Sequence, residues 1–295
     1  MAGGASKRDV RTLLERHGVA PNKTYGQNFL LDGNTLAFIA EQGELSARDI
    51  VLEVGTGIGN LTTVLAAAPC HVISVEIDRG LHAIAARQLA ARENITLLHA
   101  DVLDGKQAIN PVVLEAIRQH VRQDKTLKVI ANLPYSITTP WLISWLGAGL
   151  AWERMILLIQ EESALRMTAA PGVDEYGILA VLCALTTDSK RLRGVPADMF
   201  YPAPQVQSAI VLLRPQLAAG LQAADIRPLA EWVRLILNYR RKTLGNALKQ
   251  AGLRDNVATA LTGSGFDLSR RGESFSAAEV LRMYMEVRGA QALPQ

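Results

Sequence analysis

Two short stretches carry residue types able to do chemistry on a flat, hydrogen-bonding ring. The first, Asn132-Leu133-Pro134-Tyr135, follows an apolar, β-like run from Lys128 to Ala131. Asn132 offers an amide donor and a carbonyl acceptor, Pro134 stiffens the backbone, and Tyr135 supplies a flat face. The second, EVGTGIGN (53–60), joins an apolar run to a helical one. Its small residues let the backbone approach a ligand and point helix N-terminal amides toward it. Gly55, Gly57 and Gly59 make GxGxG, and position 60 is Asn, so the GxGxxG of hydride-transfer enzymes is absent. Glu76 stands 21 residues after Gly55, a distance at which an acid accepts from ribose hydroxyls. Asp101, in HADV, can accept from an adenine amino group. The alternative for both acids is to cap nearby helices.

Alternating strands and helices must hold these residues. DIVLEV (49–54), HVISVEI (71–77), ITLLHA (95–100), LKVIA and MILLIQ (155–160) read as strands. Between them NLTTVLAAA, RGLHAIAARQLAAR and PVVLEAIRQHV read as helices. That order predicts βαβ units and an α/β, Rossmann-like domain with a mainly parallel sheet and helices on both faces. YGILAVLCALTT continues as helix, and PQVQSAIVLLRP closes with an alternating strand. Beyond Pro215 helical periods take over, with Gly252 as a C-cap and Ser276 as an N-cap. The expected domains are 1–215 and a small helical one over 216–295, linked by RPQLAAGLQAAD.

Composition narrows the class. Of 295 residues, 49% are apolar and 20% charged, as in a folded soluble protein, and no repeat is found. No run approaches the roughly 18 apolar residues of a membrane span, and the N-terminus lacks a signal-peptide core. A cytoplasmic protein with no membrane partner is expected. Cys70 and Cys183 lack metal or CxxC spacing and read as reduced core residues. The five histidines have no second ligand near them in sequence, so no metal is expected. Residues 216–295 carry 11 Lys and Arg against 7 Asp and Glu, within a net +3 overall. A polyanionic partner or a solvated helix face explains that surplus.

GQNFL (26–30), VLEVGTGIGNLT (51–62), VEIDRGL (75–81), HADVL (99–103) and NLPY (132–135) together resemble the S-adenosylmethionine-dependent ribosomal RNA adenine dimethylases. VPADMFYPAPQVQSAIVLL (195–213), NYRRKTLGNAL (238–248) and RRGESFS (270–276) point to the small-subunit branch, so the resemblance covers nearly the whole chain in order.

The resemblance implies N6,N6-dimethylation of two adjacent adenosines in the 3′-terminal hairpin of 16S rRNA, within an immature 30S particle and with no obligatory protein partner. S-adenosyl-L-methionine is the implied cofactor. Its shell would be Gln27, Asn28 and Leu30 at an N-terminal lid, Gly55 and Gly57 at the turn, Glu76, Asp101 and Asn132. Asn132 and the Leu133 carbonyl would accept the two N6 protons, Pro134 would hold the loop, and Tyr135 and Phe200 would sandwich the extruded base. Phe200 also reads as a core aromatic before a Pro-bracketed turn. Arg240, Arg241 and Lys242 would meet RNA phosphates, or form a solvated helix start, and KRDVRTLLERHG offers a second basic face.

Some positions depart from the family pattern. Thr56 stands where proline is usual, which alters turn rigidity, and Glu161 and Gln205 replace basic residues. The stretch 105–126 is long for the family. Three rivals stay open: a large-subunit rRNA dimethylase, separated by mapping the methylated adenosines; a DNA adenine methyltransferase, separated by competing DNA against RNA; and a non-catalytic ribosome-assembly factor, which has no need of Asn132, Tyr135 and Glu76 together.

Overall fold

Why the apolar runs become a sheet is visible in their burial. The computed structural model describes residues 6–22, 26–105, 108–122, 124–239, 242–253 and 255–289. In it β1 (Asp49–Val54) is buried along its whole length, as expected of a strand with neighbours on both edges and helices on both faces. β2 (His71–Glu76), β3 (Ile95–His99), β4 (Thr126–Asn132), β5 (Arg154–Gln160), β6 (Thr187–Val195) and β7 (Ser208–Pro215) complete a sheet of order β3-β2-β1-β4-β5-β7-β6 among the described residues. The pairs from β3 to β5 are parallel, and β7 runs antiparallel to β5 with Ser208 opposite Gln160. The chain order reverses between β1 and β4, leaving a crevice at the strands' carboxyl ends, where ligands of such sheets bind.

Helices cover the sheet. α1 (Lys7–Arg16) opens on a Ser6–Asp9 capping box and α2 (Gly33–Gln42) on Asp32. α3 (Asn60–Leu65) follows the glycine turn with Gly59 as its cap, and α4 (Arg79–Leu89) opens on Asp78. α5 (Pro111–His120) starts with proline after Asn110, and α6 (Thr138–Gly147) follows Tyr135 through one 3-10 turn. One core cluster joins Leu36, Ile39, Val51, Leu65, Ile130, Ile156 and Ile210. Another joins Val10 and Leu14 of α1 to Phe29, Leu31, Ile58, Leu81 and Ile84. The second cluster explains how α1 and α4 together hold the 26–31 segment.

The chain divides into two compact units, Met1–Ala164 with Lys190–Pro215, and Leu165–Ser189 with Gln216–Gln295. Pro215 is thus one crossing of several. α7 (Glu161–Met167) spans another, and α8 (Ile178–Thr186) groups with the C-terminal helices rather than with the sheet domain. The reason is α8's composition: seven of its nine residues are buried, and it packs on α9 (Ile226–Asn238) and α12 (Ala277–Gly289). α10 (Leu244–Gln250) and α11 (Asp255–Gly263) fill out this helical unit. The expected alternation in 204–215 is also corrected. β7 begins at Ser208 and is buried without interruption through Leu213, because β5 and β6 flank it and both faces are covered.

Candidate active site

At the carboxyl ends of β1, β2 and β4 lies a cleft of about 240 Å³, far above the roughly 10–15 Å³ that one water needs. Gln27, Asn28, Leu30, Gly55, Gly57, Glu76, Asp101, Asn132, Leu133, Pro134 and Tyr135 all line it. Residues spread over more than a hundred positions converge because parallel strands deliver their ends to one edge.

The glycine turn is shaped by its backbone. Gly55, Gly57 and Gly59 have φ of +82°, +57° and +88°, a region that side chains with a Cβ rarely enter. A Cβ on Gly55 would also meet the Asn132 carbonyl oxygen and the Pro134 ring, each at 3.6 Å, so the turn lies flat against the Asn132 loop. Gly55 N–H donates to the Val75 carbonyl at 2.9 Å and Gly59 N–H to that of Thr56 at 2.9 Å.

Glu76 is buried, with one carboxylate oxygen accepting from Gly57 N–H at 2.7 Å and the other from Asp78 N–H at 2.8 Å. Burial pushes its carboxyl above the usual range, against the pull of those two bonds. Asp101 is exposed and accepts from Leu103 N–H at 2.9 Å. Neither acid caps a helix, since Asp78 caps α4 and α3 has no side-chain cap; both instead hold loop amides while facing the cleft. Between them Ile77 is 39% exposed, an apolar face left open where a flat ring could lie.

The lid is tied down from three sides. Gln27 accepts from Asn22 N–H at 2.7 Å and donates to Asp78 at 3.4 Å. The Asn28 amide donates to the Gly26 carbonyl at 3.0 Å. Asn60 Nδ2 donates to the Leu30 carbonyl at 2.9 Å, fastening the lid to α3. Sequence reasoning used Asn60 only as a missing glycine, although an amide at that place could have been read as a tether.

Asn132 carries the main chemical information. Its Nδ2 donates to the Asn28 carbonyl at 3.0 Å, which commits the donor end and leaves Oδ1 as the acceptor. Leu133 N–H is held by the Leu158 carbonyl at 3.0 Å. Tyr135 is half-buried, its Oη 2.6 Å from Ser208 Oγ. Burial pushes its phenol upward, so the ring is a neutral face and not a base.

Phe200 is the correction. It is fully buried at 0% exposure within the cluster that includes Leu30, Leu36 and Ile210, and it does not line the cleft. Alternation along the short strand Phe200–Tyr201, which pairs with Phe29–Leu30, sends Phe200 into the core and Tyr201 toward α1 and α4. The core alternative describes it. Lys242 belongs to the second unit, where its Nζ lies 5.5 Å from the Tyr239 ring centroid. Arg240 and Arg241 lie outside the described residues. Glu161, which stands where the family pattern has a basic residue, is bound at both oxygens by Arg191, at 2.7 and 3.0 Å.

The cleft fits S-adenosylmethionine: a glycine cradle of left-handed backbone, a buried acid and an exposed one at successive strand ends, and an apolar face between them. No group of three or more metal-ligating side chains occurs among the described residues, and no described helix is long and apolar enough to cross a membrane.

Comparison with known proteins gives the same picture. Residues 19–288 match the family model described as ribosomal RNA adenine dimethylase. The chain is 37% identical over 286 residues to the ribosomal RNA small subunit methyltransferase A of Pelotomaculum thermopropionicum, covering 93% of this chain and 94% of that one. Among solved structures, a 23S rRNA methyltransferase aligns at 26% identity and TM-score 0.58, over 88% of this chain and 99% of that one. A dimethyladenosine transferase from Plasmodium falciparum shares the fold at TM-score 0.68 and 22% identity, over 90% of this chain and 98% of that one.

Proposed function

Since the chain belongs to the ribosomal RNA adenine dimethylase family, we propose that it acts on two adjacent adenosines in the 3′-terminal hairpin of small-subunit rRNA, presented by an immature 30S particle in the cytoplasm without an obligatory protein partner. The activity is that of an S-adenosylmethionine-dependent rRNA adenine N6,N6-dimethyltransferase. Support for the small subunit comes from the relative at 37% identity, against 26% for the large-subunit enzyme.

The adenine N6 lone pair is delocalised into the ring and is a poor nucleophile. The cofactor supplies a methyl group already activated by its sulfonium. What remains for the protein is to hold the amine in line and localise its lone pair. Asn132 Oδ1 and the Leu133 carbonyl accept the two N6 protons, drawing the nitrogen toward a tetrahedral shape with its lone pair aimed at the methyl. Tyr135 stacks on the extruded base, an interaction worth roughly 1–3 kcal/mol. Gln27, Asn28, Leu30, Gly55, Gly57, Glu76 and Asp101 hold the cofactor, Glu76 at the ribose and Asp101 at its adenine. Two dimethylations consume four cofactor molecules, so the lid must release and readmit them. The helical domain, with Arg240, Arg241 and Lys242, carries RNA phosphate contacts.

The single observation behind the mechanism is the Asn132 amide bound to the Asn28 carbonyl, which presents oxygen and not nitrogen to the base. At saturating cofactor, Asn132→Ala should lower the transfer rate by about 100-fold or more, the scale of losing one aimed polar group. A rate within about threefold of wild type contradicts the mechanism.

A further inference from the structure

Behind the glycine turn lies a chain of buried hydroxyls for which the proposed reaction assigns no task. Thr56 Oγ1 and Ser74 Oγ are 2.6 Å apart, Ser74 Oγ donates to Glu53 Oε2 at 2.6 Å, and Thr62 Oγ1 donates to the same oxygen at 2.5 Å. Either hydroxyl can be the donor between Thr56 and Ser74. All four side chains are buried. They come from β1, the turn, α3 and β2, the four segments that meet behind the cradle.

Thr56 is the position at which family resemblance leads one to expect proline. A proline there would fix φ and donate nothing. Here the Thr56 N–H points at the Val75 carbonyl at 3.3 Å, beside the shorter bond from Gly55. Thr56 sits between two glycines in left-handed conformations, the residues with most backbone freedom to lose. No ring stiffens this turn, and the Thr56 hydroxyl is its side-chain hydrogen bond to the sheet.

We propose that Thr56 is a positioning residue for the methyl donor: through Ser74 and Glu53 its hydroxyl locks the Gly55–Gly57 backbone, and with it the Gly57 N–H that orients Glu76, in the shape the cofactor binds. The inference rests on the cleft being the cofactor site, and the test separates the two.

Titration calorimetry of the full chain with S-adenosylmethionine and with S-adenosylhomocysteine, together with thermal unfolding without ligand, decides it. Thr56→Val keeps the volume and removes the hydroxyl. It should raise Kd about tenfold, the scale of one internal hydrogen bond. Thr56→Ser should restore affinity to within about twofold. Ser74→Ala removes the other end of the bond and should raise Kd likewise, so a Thr56→Val chain that fails to fold does not remove the test. Wild-type affinity in Thr56→Val, or equal weakness in Thr56→Ser, overturns the proposal, while loss of binding in Glu76→Ala beside it leaves the cleft reading standing. Unchanged affinity in Glu76→Ala overturns both.

Discussion

At the residue scale, the acids of this chain are distinguished by their surroundings. Glu53 has no exposed surface, and burial pushes its carboxyl up to about 8, while Ser74 and Thr62 pull the other way without prevailing. It is therefore a neutral acid at pH 7 when folded and a carboxylate when unfolded. The folded state binds the extra proton. Its contribution to stability is full below about 4.5, the ordinary value, and is lost as pH rises through about 8. Replacing Glu53 by Gln removes the titration. The wild-type urea midpoint should accordingly fall between pH 5 and 8 by more than that of Glu53→Gln, and parallel profiles would refute a neutral Glu53. Phe200 shows the opposite limit of residue-level reading: an aromatic in a quoted motif was open to a stacking role or a core role, and only the pairing of its two-residue strand decides for the core.

At the element scale, the 270–276 stretch illustrates how a motif can serve packing. A Cβ on Gly272 would lie 2.2 Å from the Ile236 carbonyl oxygen of α9, so backbone approaches backbone there. Around it Arg270 binds Glu279 at 2.8 Å and covers the Phe275 ring at 4.0 Å, and the Tyr176 hydroxyl donates to the Phe275 carbonyl at 2.8 Å. Gly272→Ala must move α9 or the turn and should cost about 1–3 kcal/mol or more, read as a lower urea midpoint. An unchanged midpoint would mean the contact relaxes freely. The parallel strands were legible because a buried central strand must be an apolar run, and glycines after the first of them marked the turn. The grouping of α8 with the C-terminal helices was not legible, since an all-round apolar helix does not say which core it enters. The same holds for Thr56, Ser74, Glu53 and Thr62, single polar residues in apolar surroundings whose meeting depends on how β1, β2 and α3 pack.

At the scale of the whole molecule, one unit contains the complete cleft, and the other is built of helices carrying the basic surplus read from the sequence. The division of labour we propose is cofactor and base in the first unit and RNA backbone in the second. Its most direct test is transfer from labelled S-adenosylmethionine to immature small subunits lacking the modification, with the label located by digestion and mass spectrometry. The account predicts N6,N6-dimethyladenosine at two neighbouring positions of the 3′-terminal hairpin. Label at a different site, label in large-subunit rRNA, or particle binding with no label incorporated would contradict it.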